Sequence, residues 1–280
     1  MTQFDESKHN RATDGKFTNK VHLEADGVSL GVPPYQWDEW AVNGDEMRRA
    51  SAIASGKVTP EVVERVARED ESEYVRSVAV AHMPLTSAQA HAFATDPSFQ
   101  VRAEVAAHKD TPSEVIELLS EDGDPEVRTA VAMNPHAGVG ILAKLGGDKD
   151  DEVRLRVAGN SATAPETLSA LSRDKSEAVR GYVAVNRNTP PRELTRLASD
   201  ESLEVRTGVG LNPSTPIDTL KGLAKDSNQG IRVAVGVNPS TPPNVVMDIR
   251  KDPHNARDID EHLAAKARVE RALHYAAVRR

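Results

Sequence analysis

Apolar positions along this chain recur in two short patterns that alternate. In PEVRTAVAMN, Val127, Ala130, Val131 and Met133 fall at helical spacing and predict a first short helix. A second pattern follows each Thr-Pro or its equivalent, with apolar pairs three apart: Ile116 and Leu119, Leu142 and Leu145, Leu168 and Leu171, Leu194 and Leu197, Leu220 and Leu223. It predicts a second short helix. In TPSEVIELLS, Thr111 fits the N-cap, Pro112 the first helical position and Glu114 the partner in a capping box.

The polar positions punctuate this alternation with a fixed period. Arginines stand at Arg76, Arg102, Arg128, Arg154, Arg180, Arg206 and Arg232, 26 residues apart. Six residues before each lies an aspartate: Asp70, Asp96, Asp122, Asp148, Asp174, Asp200 and Asp226, with Asp252 continuing the series. An aliphatic residue precedes every arginine, and four residues after most of them sits Ala or Gly (Ala106, Ala132, Ala158, Ala184, Gly210, Gly236), small enough for helices to approach closely. An earlier copy, RASAIASGKVTP, begins near Arg49 and reaches Asp70 with one extra residue. Fixed-period self-similarity of this kind predicts a solenoid of about eight units, each burying its apolar face against its neighbours. Helices of two or three turns are marginal alone, so their stability must come from stacking.

The phrases VRGYVAVNRNTPPRELTRLASD (Val179 to Asp200) and VRTGVGLNPSTPIDTLKGLAKD (Val205 to Asp226) resemble the leucine-rich repeat variant family, over roughly three quarters of the chain. The spacing from Asp to Arg is also similar to that of HEAT repeats, whose Asp and Arg form a stacked ladder. The resemblance implies an all-α, right-handed superhelical solenoid of 26-residue two-helix units with terminal caps, one helix of each unit having 3₁₀ character. Some proteins with this repeat carry an iron–sulfur segment; this chain has no cysteine, so that feature does not carry over.

A residue repeated at every level of a solenoid faces its own copies. The rows Asp96, Asp122, Asp148, Asp174, Asp200, Asp226 and Arg102, Arg128, Arg154, Arg180, Arg206, Arg232 therefore read as a structural ladder, each guanidinium bridging carboxylates of its own and the adjacent unit. Catalytic constellations, by contrast, are singular and asymmetric. Asn134, Asn160, Asn186, Asn212 and Asn238 share one phase, with His82 and His108 in two earlier units. Asn suits a left-handed helix stop, although an asparagine row can also bind peptide or nucleotide backbone.

Composition narrows the functional classes. With 4 Phe, 4 Tyr and 2 Trp in 280 residues, Ala and Val must fill the core. The net charge of -8 opposes non-specific nucleic-acid binding, and residues 35–250 hold 24 Lys and Arg against 33 Asp and Glu. There is no thiol for a disulfide or metal site, no histidine spacing suited to a metal, and no apolar run of membrane or signal type. No phosphate loop, HExxH, GxSxG or dinucleotide motif occurs. These observations predict a soluble cytoplasmic protein, not an enzyme and without cofactors, that serves as a scaffold for another protein. The alternative is a nucleic-acid binder or a relative of the base-excision glycosylases built on HEAT-like repeats.

Specificity resides where the copies differ. The segment between Asp and Val-Arg is often acidic and places Glu71, Glu73, Asp124, Glu126, Asp150, Asp151, Glu152, Glu201 and Glu204 along one edge. That edge is either a strip for a basic partner surface or a solvated rim that keeps the solenoid soluble. Residues 1–34 show no repeat and are expected to form a flexible arm. Residues 35–48 hold both tryptophans, Trp37 and Trp40, and suit an N-terminal cap or a paired aromatic contact for a partner. The repeats are assigned to 49–252. Residues 253–280 are expected to form a capping helix with Ile259, Leu263, Val269, Leu273 and Ala277 inward, and Lys266, Arg268, Arg271, Arg279 and Arg280 adding charge toward its end.

Overall fold

The computed structural model describes residues 34–278, and the side chains of residues 36–268. The arm expected over 1–34 thus lies outside the described residues apart from Pro34, as do the side chains of Val269, Arg271, Leu273, Ala277, Arg279 and Arg280.

All regular structure among the described residues is helical. The chain opens with α1 (Pro34–Asn43), α2 (Glu46–Ala54), α3 (Pro60–Glu69), α4 (Glu73–His82) and α5 (Ser87–Phe93). Regular units follow, each a nine-residue first helix and a seven-residue second helix: α6 (Phe99–Ala107) and α7 (Ser113–Leu119), α8 (Pro125–Met133) and α9 (Val139–Leu145), α10 (Asp151–Gly159) and α11 (Pro165–Leu171). Then come α12 (Glu177–Val185) and α13 (Pro191–Leu197), α14 (Leu203–Leu211) and α15 (Ile217–Leu223), α16 (Gln229–Val237) and α17 (Pro243–Ile249), and finally α18 (Pro253–Val278).

The first helices from α2 to α16 pack directly on one another, and α18 packs on α16. The second helices make their main backbone contacts with the first helices that flank them in sequence. This is a helical solenoid with one continuous core. The aliphatic residue before each ladder arginine (Val75, Val101, Val127, Val153, Val179, Val205, Ile231) is wholly buried, and the leucine pairs of the second helices are almost wholly so. Burying each such side chain contributes about 1.5–3 kcal/mol, which is what seven-residue helices lack on their own.

The small residue four after the arginine is where neighbouring first helices meet. A Cβ on Gly210 would stand 3.2 Å from the Cβ of Ala234, and one on Gly236 would collide with Ile259 Cδ1 at 2.4 Å. Glycine at Gly236 thus lets Ile259 of α18 lie flat against the last first helix, fully buried.

Two local expectations are corrected. In the regular units the threonine before proline is not the N-cap: α7 has Pro112 there, and the equivalents later in the chain are Ala164, Pro190, Pro216 and Pro242, whereas Thr59 before Pro60 does occupy the N-cap of α3. Thr111 turns inward and donates its hydroxyl to the carbonyl of Val105 at 2.6 Å; Thr163, Thr189, Thr215 and Thr241 repeat this bond. The reason is local need, because a carbonyl in the last turn of a first helix has no i+4 donor once the chain turns away. A capping box does form at Thr86 and Gln89. The second correction concerns helix type. Both helices of a unit are α-helices, and 3₁₀-type bonds appear only at helix ends and in the turns beside them: Asn134 N–H meets Val131 O after a first helix, and Glu121 N–H meets Leu118 O and Asp122 N–H meets Leu119 O after a second.

Candidate interaction surface

The arginine row is fastened in one repeated way. The Nε and Nη2 groups reach forward to the carboxylate of the next unit's aspartate, at 2.6–3.2 Å from Arg49–Asp70 through Arg180–Asp200, and Arg206 reaches Asp226 through Nε alone at 2.9 Å. The remaining Nη1 reaches back to the main-chain carbonyl of its own unit's aspartate, at 2.7–2.9 Å. The bridge to two carboxylates expected from the sequence is therefore a bridge from one carboxylate to one carbonyl. Each aspartate Oδ1 also accepts the backbone N–H two residues on, at 2.8–3.0 Å, which ties the forward carboxylate into the turn that starts the next first helix. At the far end the row loosens: Arg232 stands 3.6 Å from Asp252, which is more exposed than the other ladder aspartates.

The asparagine row is a second ladder. Each Nδ2 donates to two carbonyls of the preceding unit. Asn186, for example, reaches Ala158 O at 2.8 Å and Asn160 O at 3.1 Å, while its Oδ1 accepts from Asn188 N–H at 3.0 Å. Asn160, Asn212 and Asn238 repeat the arrangement. All five asparagines are buried. None is left-handed: their φ values lie between -65° and -72°, in the extended region, and no residue other than glycine has a positive φ among the described residues. The amide hydrogens are consumed inside the stack, so this row does not present them to a peptide or nucleotide. His108 mimics asparagine in part, its Nδ1 accepting from Asp110 N–H, whereas His82 turns back and donates Nδ1–H to Val78 O of its own helix.

Of the acidic edge, Asp124 and Asp150 are N-caps, accepting from the backbone N–H of Glu126 and Glu152, and are partly buried. Glu71, Glu73, Glu126, Asp151, Glu152, Glu201 and Glu204 are exposed, and most lie in or beside the first turns of first helices, where negative charge complements the helix dipole. Trp37 and Trp40 meet edge to face at 5.1 Å and are partly buried against the core; Lys57 lies 4.8 Å over Trp37, and Arg48 lies 5.9 Å over Trp40. Asp38 accepts from the N–H and hydroxyl of Thr59, so α1 is held on the loop before α3.

The outward face of the first helices carries Tyr182, Val185 and Leu211, to which the sequence reading gave no role and which are 41%, 49% and 42% exposed. Met133, read from the sequence with the apolar positions of its helix, also lies on this face, 58% exposed. Glu104 and Arg156 occupy the same face, partly buried. Their signal was present in the phase of the repeat, two positions after the ladder arginine, but which phase faces outward becomes visible only once the helices are stacked.

A solved structure described as a leucine-rich repeat variant with a novel repetitive structural motif aligns with a TM-score of 0.53 and 25% identity, covering 72% of this chain and 80% of that one. The repeat is similar to that of this leucine-rich repeat variant. The Escherichia coli protein YibA aligns with a TM-score of 0.49 and 16% identity, over 77% of this chain and 97% of that one. A designed armadillo repeat protein in complex with the peptide (KR)4 aligns with a TM-score of 0.23 and 16% identity, over 82% and 100%. No family model matches the sequence, and no curated protein matches it.

Among the described residues of this helical stack, no helix is long and apolar enough to cross a membrane, and no group of three or more His, Asp or Glu is placed to hold a metal ion. The ladder gives the fold a defined response to acid. Burial pushes the carboxyls of Asp122, Asp148, Asp174 and Asp226 up, but the arginine forks and turn N–H groups outweigh it and leave each below the usual aspartate range. At Asp200 the Arg180 fork is the largest influence, with the same result. A carboxyl held below its unfolded value near 3.9 binds its proton more weakly when folded, so protonation favours unfolding. The contribution is complete above about pH 5 and is lost as pH falls through the folded values below about 4. Urea unfolding across pH 3–7 should show near-constant stability down to about 5 and a steep fall below about 4. A flat profile to pH 3 would contradict the ladder's role.

Proposed function

We propose that this protein is a non-enzymatic scaffold that binds another protein through the surfaces on which its copies differ. One observation carries the reading: Tyr182, Val185 and Leu211 stand half-exposed on one face of a rigid stack whose ladders do not use them. Grouped apolar side chains left in water at the surface mark interaction sites more often than accidents. The exposed carboxylates Glu71, Glu126, Glu201 and Glu204, in or beside the first turns of first helices along the stack, favour a partner with basic residues bordering its apolar contact. In this reading residues 49–252 form the binding body, 35–48 and 253–280 close its ends, and 1–34 is an arm that adds a further contact.

The test is affinity capture from nuclease-treated native-host lysate, comparing the full chain with the variant Glu71→Gln, Glu126→Gln, Glu201→Gln and Glu204→Gln, after melting curves establish that the variant is folded. A stoichiometric protein partner retained by the native chain, and released from the variant at lower salt, is the expected result. Co-purification of nucleic acid alone from an untreated parallel sample would replace this reading with the nucleic-acid one.

A further inference from the structure

The outward positions of the first helices join into a single strip along the stack. Counting from each ladder arginine, residues five positions on are exposed from Ala81 to Leu211, and residues two positions on lie beside them at the seam between neighbouring first helices, where Glu104, Arg156 and Tyr182 still reach solvent while Gly208 and Ala234 are buried. Neighbouring units interlock there. Gly159 makes room for the Tyr182 ring, whose Cδ1 would stand 3.0 Å from a Cβ on that glycine, and Gly208 makes room for Val185 Cγ1 at 3.1 Å. From Val78 to Val237 these positions hold Val, Ala, Met, Gly, Tyr and Leu, with two exceptions, Glu104 and Arg156.

Both exceptions have capacity to spare. Glu104 has no hydrogen-bond or ion-pair partner among the described residues, and burial pushes its carboxyl above the usual range, against the weaker pull of His82. Arg156 holds Glu152 with one terminal nitrogen, while its Nε is buried without a partner. Half-buried charges in an apolar strip cost stability unless they are fully paired, and Glu104 is unpaired while Arg156 is paired through one terminal nitrogen. The ladder does not need them: the equivalent positions in the adjoining units are Val78, Ala130 and Tyr182.

We propose that this strip binds an extended peptide segment of the partner protein, mainly apolar, with one cationic side chain on Glu104 and one carboxylate on Arg156. The two sites are two helix steps apart in the stack. Packed helices lie 8–10 Å apart, so the charges are separated by roughly 16–20 Å. An extended chain advances about 3.3 Å per residue, which places the ligand's two charges about five or six residues apart. Exposed Met133 lies between the two sites and Tyr182 just beyond Arg156, so apolar residues between and beyond the ligand's charges have surface to cover. This inference rests on the protein-binding reading above and adds the partner's chemistry to it.

The experiment probes the full chain with an array of immobilised ten-residue peptides of Leu, Val and Ser, each carrying one Lys and one Glu at separations from one to eight residues, in both orders, beside matched sets carrying two Lys or two Glu at the same separations. The expected result is a maximum at five or six, about tenfold above the signal at a separation of two. Glu104→Lys should move the preference to peptides with two glutamates, and Arg156→Glu to peptides with two lysines. If Arg156→Glu fails to fold, Arg156→Gln should lose the preference for glutamate and keep that for lysine. Binding that is independent of separation, or profiles unmoved by the substitutions, would overturn the proposal. So would a single-stranded oligonucleotide that competes for the strip better than any peptide. A captured protein partner together with a flat array would remove the strip proposal and leave the scaffold reading standing.

Discussion

Replacing Arg154 with alanine lowers the unfolding free energy by about 3–5 kcal/mol, the cost of breaking a buried ion pair from one side. Arg154 and Asp174 are 7% and 8% exposed, and the fork binds both carboxylate oxygens, at 2.6 and 3.0 Å. Its third nitrogen satisfies Asp148 O at 2.9 Å and Lys149 O at 3.2 Å. Alanine leaves Asp174 with the Ser176 N–H as its remaining described donor, and it strips both carbonyls. Urea unfolding with an unchanged m value measures the effect; a loss below about 1 kcal/mol would mean that the pair is merely decorative. Because each interface in a solenoid contributes its own share, the central rung should also fail first, separating the two halves of the stack before either melts.

A control shows why burial decides the magnitude. Arg68 and Glu64 form an equally short pair at 2.9 Å, but both side chains are more than 40% exposed. Arg68→Ala should cost no more than about 0.5 kcal/mol. Replacing both central partners with apolar residues, Arg154→Met with Asp174→Leu, should recover much of the loss, because it removes the stranded charge along with the pair.

The repeat itself was legible because it is written in residues with strict requirements. The 26-residue period of Arg and Asp, the leucine pairs and the small residue two positions before each asparagine each correspond to a contact repeated along the stack. What sequence reasoning missed are choices among backbone acceptors. Nothing in the letters distinguishes a guanidinium bound to an aspartate carboxylate from one bound to that residue's carbonyl, and Arg154 does both, to different aspartates. Thr-Pro reads as a helix start in any context, yet the unmet carbonyl of the preceding helix claims the Thr163 hydroxyl. Glu104 and Arg156 were invisible for another reason: a charge in a variable column looks solvated until the stack shows that the rest of that column is apolar.

Asn186→Ala should destabilise by about 2–4 kcal/mol, with a different signature from the arginine variant. The asparagine ladder is neutral, so its loss leaves no charge behind, but it strips Ala158 O and Asn188 N–H of the side chain that now serves them, while Asn160 O keeps the Thr163 N–H. Each buried unsatisfied group costs about 1–3 kcal/mol, and a water entering the space would return part of that. Since no aspartate is involved, the loss should be the same at pH 7 and pH 5 and insensitive to salt. Urea unfolding at two pH values and two salt concentrations checks both statements. Asn186→Asp sharpens the test, because it keeps the oxygen that accepts from Asn188 while setting a carboxylate against two carbonyls. It should be worse than alanine at pH 7 and improve on acidification, until the ladder aspartates themselves begin to protonate below about pH 4. An aspartate variant as stable as the native chain at neutral pH would mean that the amide, although bonded across two units, does not hold them together.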